Sequence, residues 1–462
     1  MKTSLYIFIL SLFLAVPVIA QEKETPPEGG TPKGFSLPEK EVMTFDNGLK
    51  LVLIPYGSIP KATLNITVKT GNIHETEDQT WLADLTGELM KEGSVAGYSV
   101  NDTLAGMGGN LNINTGVHTS SISTRVLSEY ASDAMYALTD VLTNPKWPAS
   151  EVDRLKSNMK RNVTVSLSTP SSQARQDFFS ELYPDHSYGR IYPTNEQIDS
   201  YTLEDIKDFY AANYGAQRTT VYVVGKFNKQ KIKQIVEEQM GDWQKGPEAS
   251  YPVATPNSAN TVRVIDRPGA PQSTLYYGLP VADPSNEDYV ALDVMNSLLG
   301  GSFGSRITSN IREDKGYTYS PRSILNNNYR TGVWYEVADV TTEHTGASID
   351  EIKKEITRLQ NEPPTKEELK GIQNYESGIY VLQNSSPGGI IGQLNFLDVH
   401  ELPESFLVDK VKNINAITPE DVQKMATKYI TPENMTLIVV GDKEKIKNQV
   451  QETIKEPKKE GQ

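Results

Sequence analysis

The chain has 462 residues, 37% hydrophobic and 23% charged, a balance that excludes both a single small module and a disordered polypeptide. Its net charge is −14, with Asp and Glu interspersed among Lys and Arg, so no basic stripe is available for phosphates and nucleic acid is excluded as a partner. The absence of cysteine removes disulfides, thiolate metal ligands and a lipid-carrying N-terminal cysteine, leaving the core alone to hold the fold.

Lys2 and the apolar run Leu5 to Ala20, broken by Pro17, predict a secretory signal peptide over residues 1–20 with the mature chain starting near Gln21. The run is shorter than a membrane span of about 20 residues. An exported chain without cysteines suits a bacterial periplasm. Residues 21–40, rich in Pro, Gly, Glu and Lys, predict a flexible lead-in.

Phe45-Asp46-Asn47-Gly48 is a turn signal inside Met43 to Pro55 and predicts a hairpin, followed by a strand over Ala62 to Thr70. Trp81 to Ser94 reads as an amphipathic helix stopped by Gly93, and Met107 to Asn114 leads into a further strand. Thr202-Leu-Glu-Asp then opens a helix that runs through Tyr214 into the strand Val221-Tyr-Val-Val and ends at Gly225. Thr418-Pro-Glu-Asp repeats this through Tyr429 and Leu437-Ile-Val-Val to Gly441; both Thr-to-Gly distances are 23 residues (225 − 202; 441 − 418). In each copy Thr is a good N-cap and the acidic pair favours the helix dipole.

A period of 216 residues (418 − 202) is too long for a solenoid and marks a duplicated domain. Residues 41–244 and 261–450 are therefore two homologous domains, joined by a Pro-, Ser- and Asn-containing linker at 245–260 and followed by a charged tail at 451–462. Strands and helices are mixed without strict alternation. The fold class is α+β, with two sandwiches of antiparallel-rich sheet and helices on one face.

A zinc hydrolase needs three His or carboxylate ligands, two of them close together on one helix face. The five histidines, His74, His118, His186, His344 and His400, are never closer than 44 residues (118 − 74), so each reads as an ordinary surface or packed histidine. The helix over 81–94 nevertheless resembles, in its place after two strands and before Met107-Gly-Gly-Asn-Leu-Asn-Ile-Asn114, the insulinase and mitochondrial-processing-peptidase family. That family carries the inverted zinc motif H-x-x-E-H on this helix.

Laid on the motif, the two histidine positions fall on Asp84 and Glu88 and the general base on Gly87. The family's third ligand, a glutamate, falls near Asn162 to Val165, and no Asp or Glu occurs from Leu155 to Gln176. Asp84 and Glu88 share a helical face and read as a solvated acidic face, because a hard cation wants more oxygens than they offer. The resemblance implies that Gly109, Asn110, Leu111 and Asn112 belong to the edge that pairs with extended substrate. It also makes His186-Ser-Tyr-Gly-Arg190 a fold-defining segment.

In the second half, Leu298-Leu-Gly-Gly-Ser-Phe-Gly-Ser-Arg306 is glycine-rich but lacks the Lys-Ser/Thr of a phosphate loop. It precedes a short helix, Ile307 to Arg312, a stop at Gly316, and a predicted strand entry at Tyr317 to Ser320. The resemblance here is to R-x6-Y, met by Arg312 and Tyr319 with Tyr317 in reserve. In the family this pair grips the substrate backbone and the oxyanion, a role that suits guanidinium and phenol donors. On spacing alone, Arg312 could instead only serve its helix end or Glu313.

The resemblance implies two halves forming a clamshell around a peptide-sized cavity. It also implies a zinc-less subunit of an exported heteromeric metallopeptidase, with no cofactor of its own. The zinc is expected in a partner of the same family, to which this chain supplies Arg312 and Tyr319. The alternative is a catalytically inactive peptide-binding or scaffold protein of the cell envelope.

Overall fold

A computed structural model describes residues 36–95, 97–257 and 260–454. The expected signal peptide, most of the lead-in and most of the charged tail lie outside the described residues. The Asn47-Gly48 turn sets the first hairpin: Gly48 takes φ +88°, and the Asn47 amide donates to the carbonyls of Met240 and Gly241 at 2.7 and 3.0 Å. Strands β1 (Glu41–Thr44), β2 (Lys50–Pro55), β3 (Lys61–Val68), β4 (Asn112–Thr115), β5 (Ser120–Leu127) and β6 (Thr219–Gly225) form one sheet, in the order β1-β2-β6-β3-β5-β4. The second sheet holds β7 (Val262–Asp266), β8 (Gln272–Val281), β9 (Arg322–Asn328), β10 (Thr331–Thr341) and β11 (Thr436–Gly441), in the order β9-β10-β8-β11-β7. β2–β6 and β7–β11 pair in parallel; every other pairing within these two sheets is antiparallel.

The duplicated motif explains that symmetry. The Thr202 hydroxyl accepts the Asp205 N–H at 3.2 Å while the Asp205 carboxylate accepts the Thr202 N–H at 2.8 Å; Thr418 and Asp421 repeat this at 3.2 and 2.9 Å. Each capped helix (Leu203–Asn213, Pro419–Tyr429) delivers the chain into a wholly buried interior strand, β6 or β11, which makes its sheet's parallel contact.

These strands are apolar on both faces, and the fold uses both. Leu51, Leu53, Val221 and Val223 pack under the first half's own helices, whereas Val52, Ile54, Tyr222 and Val224 face Ile390, Ile391 and Leu394 from the second half. Conversely, Phe178 and Phe179 of the Pro170–Leu182 helix cross to Tyr276, Tyr335, Ile438 and Val440 of the second sheet. The halves thus exchange helices, so each sheet carries its own helices on one face and a borrowed helix on the other, where one covered face was expected. The continuous apolar runs Leu51-Val-Leu-Ile and Val221-Tyr-Val-Val are the physical reason. Burying each such side chain contributes about 1.5–3 kcal/mol, which holds the halves in direct contact along both seams.

Both exchanged helices begin with a hydroxyl N-cap and Pro at the first turn, Thr169-Pro170 and Ser386-Pro387, 217 residues apart (386 − 169). Residues 245–257 contain neither helix nor strand, yet they are tied down: the Arg218 guanidinium donates to the carbonyls of Pro247 and Glu248 at 3.2 and 2.8 Å.

Candidate functional site

The helix that carries the degenerate motif spans Leu82–Lys91. Glu75 holds its start, the carboxylate accepting the backbone N–H of Trp81 at 3.1 Å and of Ala83 at 2.9 Å. The Asn72 amide then bridges Glu75 and Asp84 at 3.1 and 2.7 Å. Burial pushes the Glu75 carboxyl up to about 8 and that of Asp84 up to about 6, against the opposing pull of these hydrogen bonds.

Asp84 is therefore not the solvated side chain that the sequence suggested; Asn72 draws it inward. Only Glu88 remains in water, 3.9 Å from Lys91. Gly87 is buried where the helix lies on β4: a Cβ there would stand 3.0 Å from Thr115 Oγ1 and 3.3 Å from Ile113 Cγ2. Near the third-ligand position, Asn162 is exposed and Val163 is packed in the core. One position is thus inward and amide-bound, one has no side chain, and one faces solvent. These residues do not fit a zinc ion, and among the described residues no group of three or more His, Cys, Asp or Glu could hold a metal.

The Glu75 carboxyl yields a pH test. Its folded-state pKa is raised, so its contribution to stability is present below the unfolded value near 4.5 and is lost as pH rises through about 8. Urea unfolding should show Glu75→Gln escaping a loss on the order of 2 kcal/mol that the parent suffers between pH 5 and pH 8. Equal pH dependence of the two chains would refute the assignment.

On the edge expected to hold substrate, Gly109, Asn110 and Leu111 precede β4 and Asn112 opens it, with β4 at the sheet edge. Leu111 is buried, while Asn110 and Asn112 are exposed and joined at 2.9 Å. Gly109 fits only as glycine: a Cβ would meet Thr124 Oγ1 and Val126 Cγ1 at 2.7 Å. The segment 186–190 is knitted into the fold, with the Arg190 guanidinium donating to the Glu75 carbonyl at 2.9 Å.

In the second half, one π-helical turn, Ser297–Gly301, takes up the start of the glycine-rich stretch and a second, Ser309–Asp314, follows it. Arg312 lies in the second. Its guanidinium sits 4.3 Å from the Phe303 ring centroid and 5.1 Å from that of Tyr319, with Nε 3.3 Å from Glu313. Both rings are unusually open, Phe303 at 72% and Tyr319 at 79% exposure. Together they border a cavity of about 480 Å³ whose wall also includes Ser302, Arg322 and Asp339.

Tyr317, the reserve, turns away and stacks on His344 with centroids 4.3 Å apart. The expected strand at Tyr317 to Ser320 is only a single bridge, Thr318 to Val340; Pro321 has no N–H to extend the ladder and β9 starts at Arg322. The structure therefore brings Arg312 and Tyr319 together, and their cavity contains none of Asp84, Gly87 or Glu88. Phe303 and Arg322 were missed from the sequence. The one available signal was an aromatic residue set between Gly301 and Gly304.

Four of the five histidines come together. Nε2 of His74 lies 3.0 Å from the Ser250 carbonyl and Nε2 of His186 lies 3.2 Å from that of Pro252, while His118 Nε2 bonds the Tyr188 hydroxyl at 2.8 Å. His400, buried and with no partner for Nδ1 among the described residues, faces His118 with ring centroids 6.4 Å apart. Four separate segments thus meet around the linker.

The fold and these positions define a two-half, peptidase-like chain with a degenerate zinc position. Residues 51–192 match the family profile described as insulinase (peptidase family M16), and residues 200–375 and 416–461 match the peptidase M16 inactive domain. The chain belongs to peptidase family M16. It is 21% identical to an uncharacterized zinc protease, YmxG, of Bacillus subtilis over 398 residues, covering 84% of this chain and 95% of that one. It is 20% identical to the non-peptidase homolog YmxG of Helicobacter pylori, covering 84% of this chain and 91% of that protein. The crystal structure of a peptidase M16 inactive domain from Pseudomonas fluorescens shares the fold, with a TM-score of 0.79 at 22% identity over 87% of this chain and 98% of that one. Among the described residues no helix is long and apolar enough to cross a membrane.

Proposed function

We propose that this chain is the zinc-less subunit of an exported, periplasmic heteromeric metallopeptidase. In this reading it supplies Arg312 and Tyr319 to a zinc-bearing partner of the same family. The carrying observation is the contrast between the two halves: the motif helix has neither histidine nor the general-base glutamate, whereas Arg312 stands against two open aromatic rings at the cavity. A guanidinium so fixed, with a phenol beside it, can bind a peptide carbonyl and the negative charge that develops on its oxygen as water attacks. The two domains, 41–244 and 261–450, divide these roles, the first offering the Gly109–Asn112 edge to an extended peptide and the second the donors.

The similarity to a non-peptidase homolog favours a second reading, an inactive peptide-binding or scaffold protein of the envelope. Mixing decides between them. The purified chain alone should neither retain stoichiometric zinc nor cleave peptides, and adding it to a family member with an intact H-x-x-E-H should raise that protein's turnover. No change in turnover on mixing would leave the scaffold reading standing; zinc and proteolysis in the isolated chain would overturn both.

A further inference from the structure

The Arg312 cavity has a second cation that the proposed mechanism does not use. Arg322 opens β9 directly across from Val337 of β10, so its side chain shares a sheet face with Val337 and Asp339, and all three line the cavity. Arg322 is exposed and, like several other arginines of this acidic chain, has no carboxylate within 4 Å among the described residues. The acid on the same sheet face, Asp339, accepts the Thr274 hydroxyl at one oxygen and forms no ion pair with Arg322 among the described residues.

Arg312, meanwhile, has Phe303 and Tyr319 against its guanidinium and Glu313 at Nε, which leaves its terminal nitrogens for the ligand. Two guanidiniums lining one cavity, one on the sheet and one on the π-helical turn, suit an anion of planar, two-oxygen geometry. The aromatic rims and the volume of about 480 Å³ suit a peptide segment better than an inorganic ion.

We propose that Arg322 makes this cavity a receptor for a peptide carboxylate, selecting chains that carry an acidic group close to the carbonyl gripped by Arg312 and Tyr319. The inference rests on the reading of Arg312 and Tyr319 as peptide-binding residues. The carboxylate can come from an internal Glu or Asp or from the peptide's own C-terminus, and the test separates them.

Three fluorescent peptides of one sequence are titrated against the full chain by anisotropy. One has an internal Glu and an amidated end, one an internal Gln and a free carboxyl end, and one an internal Gln and an amidated end. At least one of the first two should bind about tenfold more tightly than the third, and this advantage should fade at high salt. Arg322→Gln should remove the advantage while leaving affinity for the neutral peptide in place; Arg312→Ala should weaken all three.

Equal binding of the three peptides, or an advantage that survives Arg322→Gln, overturns the carboxylate proposal and leaves the peptide-grip reading intact. Loss of the advantage in Arg322→Gln with no effect of Arg312→Ala upholds the carboxylate site and overturns the grip reading. Failure of all three peptides to bind overturns both.

Discussion

Replacing Arg312 by Ala should lower kcat of the proposed two-subunit peptidase roughly 100-fold, with a smaller rise in KM. The reason is when the guanidinium acts: a donor aimed at charge that appears only as water attacks affects the transition state more than the bound substrate, and losing one such donor typically costs about 10²–10³ in rate. Tyr319→Phe removes one hydroxyl and should cost roughly tenfold, without change in melting temperature, since the ring is 79% exposed. Phe303→Ala separates positioning from chemistry. It leaves every donor in place but strips one wall from Arg312, which now stands 4.3 Å away, and should cost several-fold in kcat. Arg312→Lys should behave like the Ala variant, because an ammonium can neither lie flat between two rings nor present a fork of donors. Unchanged turnover in Arg312→Ala, measured on the assembled complex with the variant subunit shown to be bound, would sink the shared-site mechanism.

The features that were legible in the sequence are those written locally. Thr202 with Asp205 and Thr418 with Asp421 form capping boxes within four residues, and the same boxes appear in the structure at both ends of the 216-residue period. The departure from H-x-x-E-H was legible for the same reason: a helical motif has fixed spacing, so Asp84, Gly87 and Glu88 could be placed on it without knowing the fold. The exchange of helices was only half hidden. Thr169-Pro170 and Ser386-Pro387 repeat at nearly the same period, but nothing local says that such a helix leaves its own sheet for the neighbour's. Apolar faces on both sides of β6 and β11 are what draw it across.

The inward turn of Asp84 had no local signature either. It depends on Asn72 and Glu75, which lie a 3-10 turn and a loop ahead of the helix. The histidine cluster lies furthest from sequence reasoning, since His74, His118, His186 and His400 share neither a spacing nor a secondary element. They meet only because the helix exchange, the β4–β5 turn and the linker converge on one place.

That convergence should make the protein acid-sensitive. Burial is the first cause of depression for each ring, lowering His74 to about 4, His118 to about 3 and His400 to about 4, and lowering His186 as well. The nearby charges mostly add to it: Arg218 on His74, Arg190 on His186, the other imidazoles on His118, and Arg330 on His400, where Asp283 pulls the opposite way. For depressed groups the stability they lend is whole above the unfolded value of about 6.5 and is lost as pH falls toward the folded values. With four such rings, the loss between pH 7 and pH 4.5 should be on the order of 5 kcal/mol, a large part of an ordinary domain's total.

Glu75 and Asp84 titrate in the opposite sense over part of this range and would blunt the loss in the parent chain. A paired comparison removes them. His400→Leu deletes a buried ring whose Nδ1 has no hydrogen-bond partner among the described residues, keeps the packing near neutral, and leaves both carboxyls in place. Urea titrations of the two chains should place His400→Leu about 2 kcal/mol better, relative to the parent, at pH 5 than at pH 7. If the difference between the two chains is the same at both pH values, His400 is not held neutral by its surroundings and contributes nothing to the acid sensitivity.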